Sequence, residues 1–250
     1  MISSSLHNFF FNEDVENKLI STNRYILPSI VIVYALFVTW IGPSYMKNRK
    51  PYTLRGILVA YNFLEVIINT FIAFRVSHFM LNNTDLYCPS NIEEKVLFSQ
   101  RFQHLGWLIF LNKAFDLFDT VFFVLRKKQN QVTTLHVVHH ALMPLFCWLG
   151  LRNLHFGGFY LAVGLGMNAV IHTFMYLYYG LSALGPNMTK YLWWKKYITI
   201  LQIVQFAIFL VYMSIGFLNG CEQPGKMEIT IFVFVSFMLV LFINFYKQCK

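Results

Sequence analysis

The strongest constraint in this sequence is a series of seven long apolar segments. They cover residues 25–44, 56–75, 105–125, 132–151, 156–181, 197–218 and 229–246. A helix needs about 20 mainly apolar residues to cross the hydrocarbon core of a bilayer. Inside that core each segment must satisfy its own backbone hydrogen bonds, which a helix does. The sequence therefore predicts an all-α, polytopic membrane protein with seven transmembrane helices.

Composition supports a bilayer as the solvent of this chain. Hydrophobic residues make up 57% of the sequence and charged residues only 12%, whereas soluble domains are about 45–50% apolar. We expect one transmembrane domain over residues 1–250, with an N-terminal segment at 1–24, the spans at 25–246 and a tail at 247–250. The N-terminal segment lacks the basic start of a signal peptide, so insertion is expected to rely on the internal spans.

The distribution of lysine and arginine predicts the orientation. One side of the seven-span arrangement carries twelve of the twenty basic residues and the other side carries seven, with Lys113 inside a span. Because cytoplasmic loops are enriched in lysine and arginine, the N-terminus is predicted to be lumenal and the C-terminus cytosolic. This topology, together with anionic lipid headgroups, explains the net charge of +9 better than nucleic acid does.

The four cysteines do not have the spacing of a zinc site, so no metal site is predicted. On the topology above, Cys88 and Cys221 both lie in lumenal loops. The lumen is oxidising, and a disulfide between these two cysteines is compatible with that environment. Asn82 begins a lumenal glycosylation sequon, Asn-Asn-Thr.

Several spans carry polar stripes. His136, His139 and His140 lie on one face of the fourth span, because residues three and four apart are neighbours on a helix. The other stripes are Lys113, Asp116, Asp119 and Thr120 in the third span, Asn168, His172, Tyr176 and Tyr179 in the fifth, and Thr199, Gln202 and Gln205 in the sixth. Ionisable groups inside a bilayer cost about 2.5–3.5 kcal/mol each, so their convergence indicates function.

The third-span stripe has two alternative roles, and helix geometry gives the depth of the polar residues in the membrane. Lys113 and Asp116 can pair with each other, so the third-span stripe is either part of a site or an ion-pair network that fixes packing. Counting inward at about 1.5 Å per residue places Asp119, His139, His172 and Gln205 at one level, roughly 10–15 Å from the cytosolic boundary. From that level toward the lumen the spans are apolar, so we expect a cavity for a ligand with a polar head and an apolar tail.

These stretches resemble the animal fatty-acid elongase family, the very-long-chain 3-oxoacyl-CoA synthases. The third-span stripe with Arg126 resembles the family's KxxExxDT block, and residues 135–140 resemble its histidine box. Residues 168–179 resemble the HxxMYxYY block and residues 199–206 the TxxQxxQF block. The likeness extends over about residues 24–246, with one departure: Asp116 stands where the family pattern has glutamate.

The resemblance implies a condensation of acyl-CoA with malonyl-CoA in the endoplasmic reticulum membrane, in a tunnel enclosed by six or seven helices. No bound cofactor is implied, and malonyl-CoA is the two-carbon donor. A ketoreductase, a dehydratase and an enoyl reductase are implied as working partners, membrane lipid surrounds the chain, and a homo-oligomer is compatible with the resemblance.

The resemblance also implies roles for individual residues. Desolvation disfavours imidazolium, so a neutral histidine can attack the thioester and form an acyl-imidazole. His139 is the predicted nucleophile with His172 assisting, while His136 and His140 orient or protonate. The candidate substrate-binding residues are Lys113, Asp116, Asp119, Arg126, Lys128, Gln131, Asn168, Tyr176, Tyr179, Lys195, Thr199 and Gln202. Of these, Asn168 and Gln202 are the candidates to stabilise a developing oxyanion.

Two other classes compete with the condensing enzyme. Membrane di-iron desaturases also use an HxxHH spacing, but they need more histidines than the four that lie inside spans here, His136, His139, His140 and His172. A non-enzymatic seven-span carrier can bury histidines and carboxylates as a gating network. The spans lack the aligned proline or glycine interruptions that are typical of transporter repeats.

Overall fold

The computed structural model describes residues 25–86, 91–152, 158–220 and 225–248, and the regular structure in these ranges is entirely helical. The predicted disulfide partners Cys88 and Cys221 lie outside the described residues. Cys147 is described, and its thiol is free and buried.

Six helical segments are long and apolar enough to cross a membrane. The first is continuous from Ile26 to Met46 and consists of α1 (Ile26–Leu36), a π-helical stretch (Phe37–Ile41) and α2 (Gly42–Met46). The others are α3 (Arg55–Asn82), α6 (Thr134–Arg152), α7 (Gly158–Ala183), α8 (Lys195–Leu218) and α9 (Lys226–Gln248). They match six of the seven predicted segments, which confirms a helical, multi-pass membrane protein.

The remaining predicted segment, 105–125, has a different form. It contains the end of α4 (Ile92–Phe115) and all of α5 (Leu117–Leu125), with an interruption at Asp116. Lys113, Asp116 and Asp119 are all buried there. With three charged residues and a helix break, this segment is not one continuous apolar helix like the other six, and α4 begins thirteen residues before the predicted start. A seventh span at this position stays a prediction.

The chain divides into two compact units, and one of the three boundaries along the sequence falls inside α4 between Gln100 and Arg101. The first unit contains α1, α2, the end of α4, α5 and α6. In it α1 packs against α6, and α5 packs against both α2 and α6. Its buried core is formed by Tyr34, Val38, Met46, Leu117 and Val124. The prediction of one domain over the whole chain is not decided by this division.

The second unit contains α3, the start of α4, α7, α8 and α9. The main packing is between α3 and α7, and α8 packs against α7 and α9. Contacts along α3 and α7 run in opposite directions: Thr70 Oγ1 lies 3.4 Å from Thr173 Oγ1, and Val76 meets Gly166. The two helices are therefore antiparallel, and small residues on α7 allow their close approach.

Gly166 gives a direct test of this packing. A Cβ added at Gly166 would lie 2.8 Å from Cγ1 of Val76. Valine is β-branched and cannot rotate away easily. We therefore expect Gly166→Ala to destabilise the protein by about 1–3 kcal/mol, the usual cost of overpacking. The measurement is unfolding of the purified protein by a denaturing detergent.

The matched control is Gly56→Ala on α3, because a Cβ there meets nothing within 4 Å. That variant should unfold like the wild type or slightly later, since alanine is the better helix former. Equal stability of the Gly166→Ala protein and the wild type would contradict the close packing of α3 and α7.

Candidate active site

The first unit holds a buried ion pair at the break between α4 and α5. Nζ of Lys113 donates to Oδ2 of Asp116 at 2.9 Å, and each side chain is only 3% exposed. A buried charge is stable only when it is paired and hydrogen-bonded. The ion pair between Lys113 and Asp116, which was one of the two alternatives for this stripe, is therefore present. The pair does not by itself decide whether these residues also contact a substrate.

The histidines of α6 lie beside the carboxylate of α5. Nε2 of His140 is 3.9 Å from Oδ2 of Asp119, and both residues are buried. The ring centroids of His136 and His140 are 4.1 Å apart, and those of His139 and His140 are 5.5 Å apart. The three imidazoles therefore form one cluster with a carboxylate at its edge, as the i, i+3, i+4 spacing predicts for one helical face.

Tyr34 connects α1 to this region. Its hydroxyl makes a buried hydrogen bond of 2.6 Å with Oγ1 of Thr120, which directly follows Asp119. Tyr34 and Thr120 are 86 residues apart in the sequence. The bond thus fixes the first span against the helix that carries the carboxylate.

Removal of that hydroxyl should have a moderate cost. In Tyr34→Phe the ring stays in place but Thr120 loses its buried partner, so we expect a loss of about 1–3 kcal/mol in unfolding free energy. The pair Tyr34→Phe/Thr120→Val removes both polar groups and should recover part of the loss. Additive effects of the two substitutions, measured by detergent unfolding, would contradict a direct bond.

Three further candidates of the first unit, Arg126, Lys128 and Gln131, lie in the segment between α5 and α6. Lys128 and Gln131 are exposed and Arg126 is partly buried. The backbone NH of Lys128 donates to the carbonyl of Phe123 at 2.8 Å, and the ring of Phe123 is 5.1 Å from that of His136. Phe123 thus contacts both the basic segment, through its carbonyl, and the histidine cluster, through its ring.

The second unit holds the other candidates. Asn168, His172 and Tyr176 are buried on α7, and the rings of His172 and Tyr176 are 5.5 Å apart. Tyr176 also makes an edge-to-face contact with Tyr61 of α3, with centroids 6.1 Å apart. On this helix Tyr179 is more exposed, at 37%. Three of the four predicted α7 residues therefore share a buried environment.

The candidates on α8 are less uniform. Lys195 is exposed, Thr199 is partly buried, and Nε2 of Gln202 lies 3.8 Å from the sulfur of Met175 on α7. Gln205 is buried. The common level predicted for Asp119, His139, His172 and Gln205 stays a prediction, because the first two belong to one unit and the last two to the other.

Sequence reasoning gave no role to three buried polar residues, Glu65, Asn69 and Asn112. On α3, Glu65 and Asn69 are completely buried, and Nδ2 of Asn69 donates to Oε2 of Glu65 at 2.8 Å. A glutamate followed four residues later by an asparagine inside an apolar segment was the available signal. On α4, Asn112 is 4% exposed, and neither polar atom of its side chain has a hydrogen-bond partner among the residues described.

The first unit also contains an apolar cavity of about 570 Å³, which is within the usual range for ligand sites. Its walls come from α1, α4, α5 and α6 and include Tyr34, Trp107, Ala114 and Trp148. A cavity was expected beyond the histidines, and Trp148 of α6 is among the residues that line this one.

The arrangement has a clear chemical capacity. A cluster of imidazoles offers nucleophilic or basic nitrogen, Asp119 can orient a ring, and the Lys113–Asp116 pair supplies fixed charge. In the parts of the chain that the structure covers, no group of three or more histidine, cysteine, aspartate or glutamate side chains is arranged to hold a metal ion.

The fold and the cluster define a multi-pass helical membrane protein with a buried histidine, carboxylate and lysine centre. The model of the ELO family, described as GNS1/SUR4, matches residues 19–249 of this chain. The chain therefore belongs to the ELO family, which confirms the resemblance to fatty-acid elongases.

Curated relatives cover most of the chain. It is 39% identical to mouse "Very long chain fatty acid elongase 4" over 221 residues, which are 88% of this chain and 70% of the relative. It is 37% identical to rat "Very long chain fatty acid elongase 7" over 246 residues, 94% of this chain and 84% of the relative. The protein of that name from Drosophila melanogaster is 38% identical over 223 residues, 88% and 67% of the two chains.

Proposed function

We propose that this protein is a condensing enzyme of fatty-acid elongation, a very-long-chain 3-oxoacyl-CoA synthase and thus an acyltransferase. Acyl-CoA and malonyl-CoA would give a 3-oxoacyl-CoA two carbons longer, with CoA and carbon dioxide. The observation that carries this proposal is the buried cluster of His136, His139 and His140 beside Asp119 in a member of the ELO family.

The first half-reaction loads the enzyme. A ring nitrogen of His139 attacks the carbonyl carbon of the acyl-CoA, the carbon–sulfur bond breaks, and CoA thiolate leaves and takes a proton as free CoA. An acyl-imidazole remains on His139. His140, held near Asp119, orients the neighbouring ring, and His136 supplies or accepts the proton.

The second half-reaction forms the new carbon–carbon bond. Malonyl-CoA loses carbon dioxide, and the electron pair of the broken bond forms the enolate of acetyl-CoA. The enolate carbon attacks the acyl-imidazole, the carbon–nitrogen bond breaks, and His139 leaves and recovers its proton. One proton is consumed overall. The family's HxxMYxYY and TxxQxxQF blocks support an assisting role for His172 and oxyanion stabilisation by Asn168 and Gln202.

The finer features of the protein follow from the same proposal. A seventh span at 105–125, a tunnel among the helices, a lumenal N-terminus and a cytosolic C-terminus would place the basic loops on the side where CoA substrates are found. No bound cofactor is needed, since malonyl-CoA brings the two carbons. Endoplasmic reticulum residence and work beside a ketoreductase, a dehydratase and an enoyl reductase are part of this proposal.

The test is elongation by purified protein in detergent with radiolabelled malonyl-CoA and a panel of saturated and polyunsaturated acyl-CoAs. A labelled 3-oxoacyl-CoA establishes the condensation and ranks the chain lengths. Folded protein that forms no product with any acceptor would refute it. Metal analysis of the same sample tests the desaturase alternative, and malonyl-CoA-dependent product excludes the carrier.

A further inference from the structure

The apolar cavity of the first unit opens sideways, between α1 and the helices α4 and α5. Its floor is buried, with Tyr34 and Trp107 each 6% exposed. Its rim includes Ile30, Val33 and Phe118, which are 48%, 63% and 47% exposed. Because α1 belongs to a segment that is long and apolar enough to cross a membrane, a cavity with this rim opens toward the hydrocarbon of the bilayer and not toward water.

The cavity is separate from the histidines and the buried ion pair. On α4 and α5 the lining residues lie between Trp107 and Val121 at steps of three or one, which places them on one helical face. Asp116 and Asp119 fall on the opposite face of the same helices. The three histidines of α6, all among the residues described, are not part of the lining. A ligand in this cavity therefore leaves the proposed reaction centre free.

The directions of the helices show which ends of them meet. The first span and the α4–α5 pair run parallel, since Tyr34 bonds to Thr120 and, further along both, a Cβ at Gly42 would lie 2.7 Å from Cγ1 of Val124. The start of α1 is therefore level with the part of α4 around Trp107.

The last wall, α6, runs in the opposite direction to α5. Asp119 lies beside His140, whereas Phe123, later on α5, lies beside His136, earlier on α6. The end of α6 therefore lies at the same end of the unit as the start of α1.

The length of the cavity matches one leaflet of a bilayer. On α1 the lining extends from Ile26 to Phe37, and over that distance a helix rises about 16 Å at 1.5 Å per residue. The hydrocarbon core of a bilayer is about 30 Å thick, so one leaflet contributes about 15 Å. With a volume of about 570 Å³, this long cavity suits an acyl chain that enters from one leaflet.

A cation lies at the end of the cavity where α1 begins. Arg152 is exposed at the end of α6, and its guanidinium lies 4.9 Å from the ring centre of Trp148, which lines the cavity. Tyr25, directly before α1, is exposed at the same end. Tryptophan and tyrosine are enriched at the membrane–water interface, and arginine binds phosphate oxygens in pairs. The apolar cavity thus ends where a lipid phosphate would meet a positive charge.

We propose that this cavity binds one membrane glycerophospholipid, with an acyl chain between α1 and α4–α5 and the phosphate group against Arg152. The lipid comes from the leaflet in which α1 begins. Charge complementarity at Arg152 and the one-leaflet length of the cavity both favour a phospholipid over a second copy of the chain.

Occupancy of the cavity should stabilise the first unit. The walls of an empty cavity lack van der Waals partners, and an acyl chain supplies them without leaving an apolar environment. Tyr34 is part of the floor, and its hydroxyl bonds to Thr120 of α5 at 2.6 Å. The bound chain therefore packs against the residue that joins the first span to α5.

The test compares two variants of the full-length protein with two matched controls. Ala114→Phe places a ring in the wall of the cavity, and Ala207→Phe makes the same change at an exposed position on α8. Arg152→Gln removes the charge at the end of the cavity, and Lys226→Gln removes an exposed charge at the start of α9. Native mass spectrometry of protein released from phosphatidylcholine nanodiscs counts the lipid molecules retained per chain.

The wild type should retain one phosphatidylcholine, and both controls should match it. Retention should fall about ten-fold or more in Ala114→Phe, because the ring occupies the space of the chain. In Arg152→Gln it should fall about three-fold, since an exposed charge contributes modestly. Equal retention by the wild type and either variant would overturn the inference. Displacement of the retained lipid by acyl-CoA would overturn it as well, because the cavity would then belong to the chain of the substrate.

Stability gives a second readout. A ligand that binds only the folded state raises the stability of that state by mass action. Added phosphatidylcholine should therefore delay detergent unfolding of the wild type and Ala207→Phe, but not of Ala114→Phe. An equal delay in all three proteins would mean that lipid acts on the general surface, and the inference would fall. Neither readout needs turnover, so failure of the condensation assay would leave this inference standing.

Discussion

His139→Ala should lower the rate of condensation by at least about 1,000-fold, because loss of a nucleophile removes the covalent route altogether. The side chain is partly buried in the histidine cluster, and the variant should still fold. The rate is measured as labelled 3-oxoacyl-CoA formed per minute. Intact-protein mass spectrometry with acyl-CoA alone adds a second readout, since the wild type should carry an acyl group and the variant should not.

The control for this prediction is His78→Ala. His78 is exposed near the end of α3 and belongs to the second unit. That variant should keep wild-type turnover, whereas a loss equal to that of His139→Ala would indicate a general effect of histidine removal. Retained turnover in a folded His139→Ala protein would refute the nucleophile assignment, and attention would then move to His136 and His140.

The spans were the most predictable part of this structure. Six of the seven predicted segments coincide with apolar helices, because a window of about 20 apolar residues has few alternatives in a bilayer. The histidine cluster was equally accessible, since the neighbours on a helix face follow from spacing alone. The carboxylate of Asp119 was anticipated at the same level as His139, but its 3.9 Å approach to His140 is a property of the packing of α5 on α6.

Other features depend on contacts that sequence spacing does not encode. The break at Asp116 accompanies a buried ion pair, and a periodicity argument treats residues 105–125 as one uninterrupted helix. Tyr34 has no polar neighbour at helical spacing, so nothing in its own segment pointed to Thr120. Glu65 was visible as a charge inside an apolar segment, but its complete burial results from the packing of α3 against α7.

The ion pair of Lys113 and Asp116 offers the second large effect. Lys113→Met leaves a buried carboxylate without its 2.9 Å partner, and breaking such a pair costs about 3–5 kcal/mol of unfolding free energy. The double variant Lys113→Met/Asp116→Leu leaves neither charge, so most of that loss should be recovered, and detergent unfolding of the two single variants and the double variant measures the coupling. Losses that simply add would contradict a direct pair.

The same double variant separates the two interpretations of this stripe. If the pair serves only to join α4 to α5, the refolded double variant should elongate acyl-CoA at close to the wild-type rate. If Lys113 also contacts the substrate, the double variant will be stable but will elongate acyl-CoA slowly. The variant Asp116→Glu will retain activity, because it keeps the ion pair with Lys113 and restores the residue of the family pattern. The double variant thus separates the two roles. A charge that only stabilises its partner can be removed together with that partner without loss of turnover, whereas removal of a charge that binds the substrate slows the reaction.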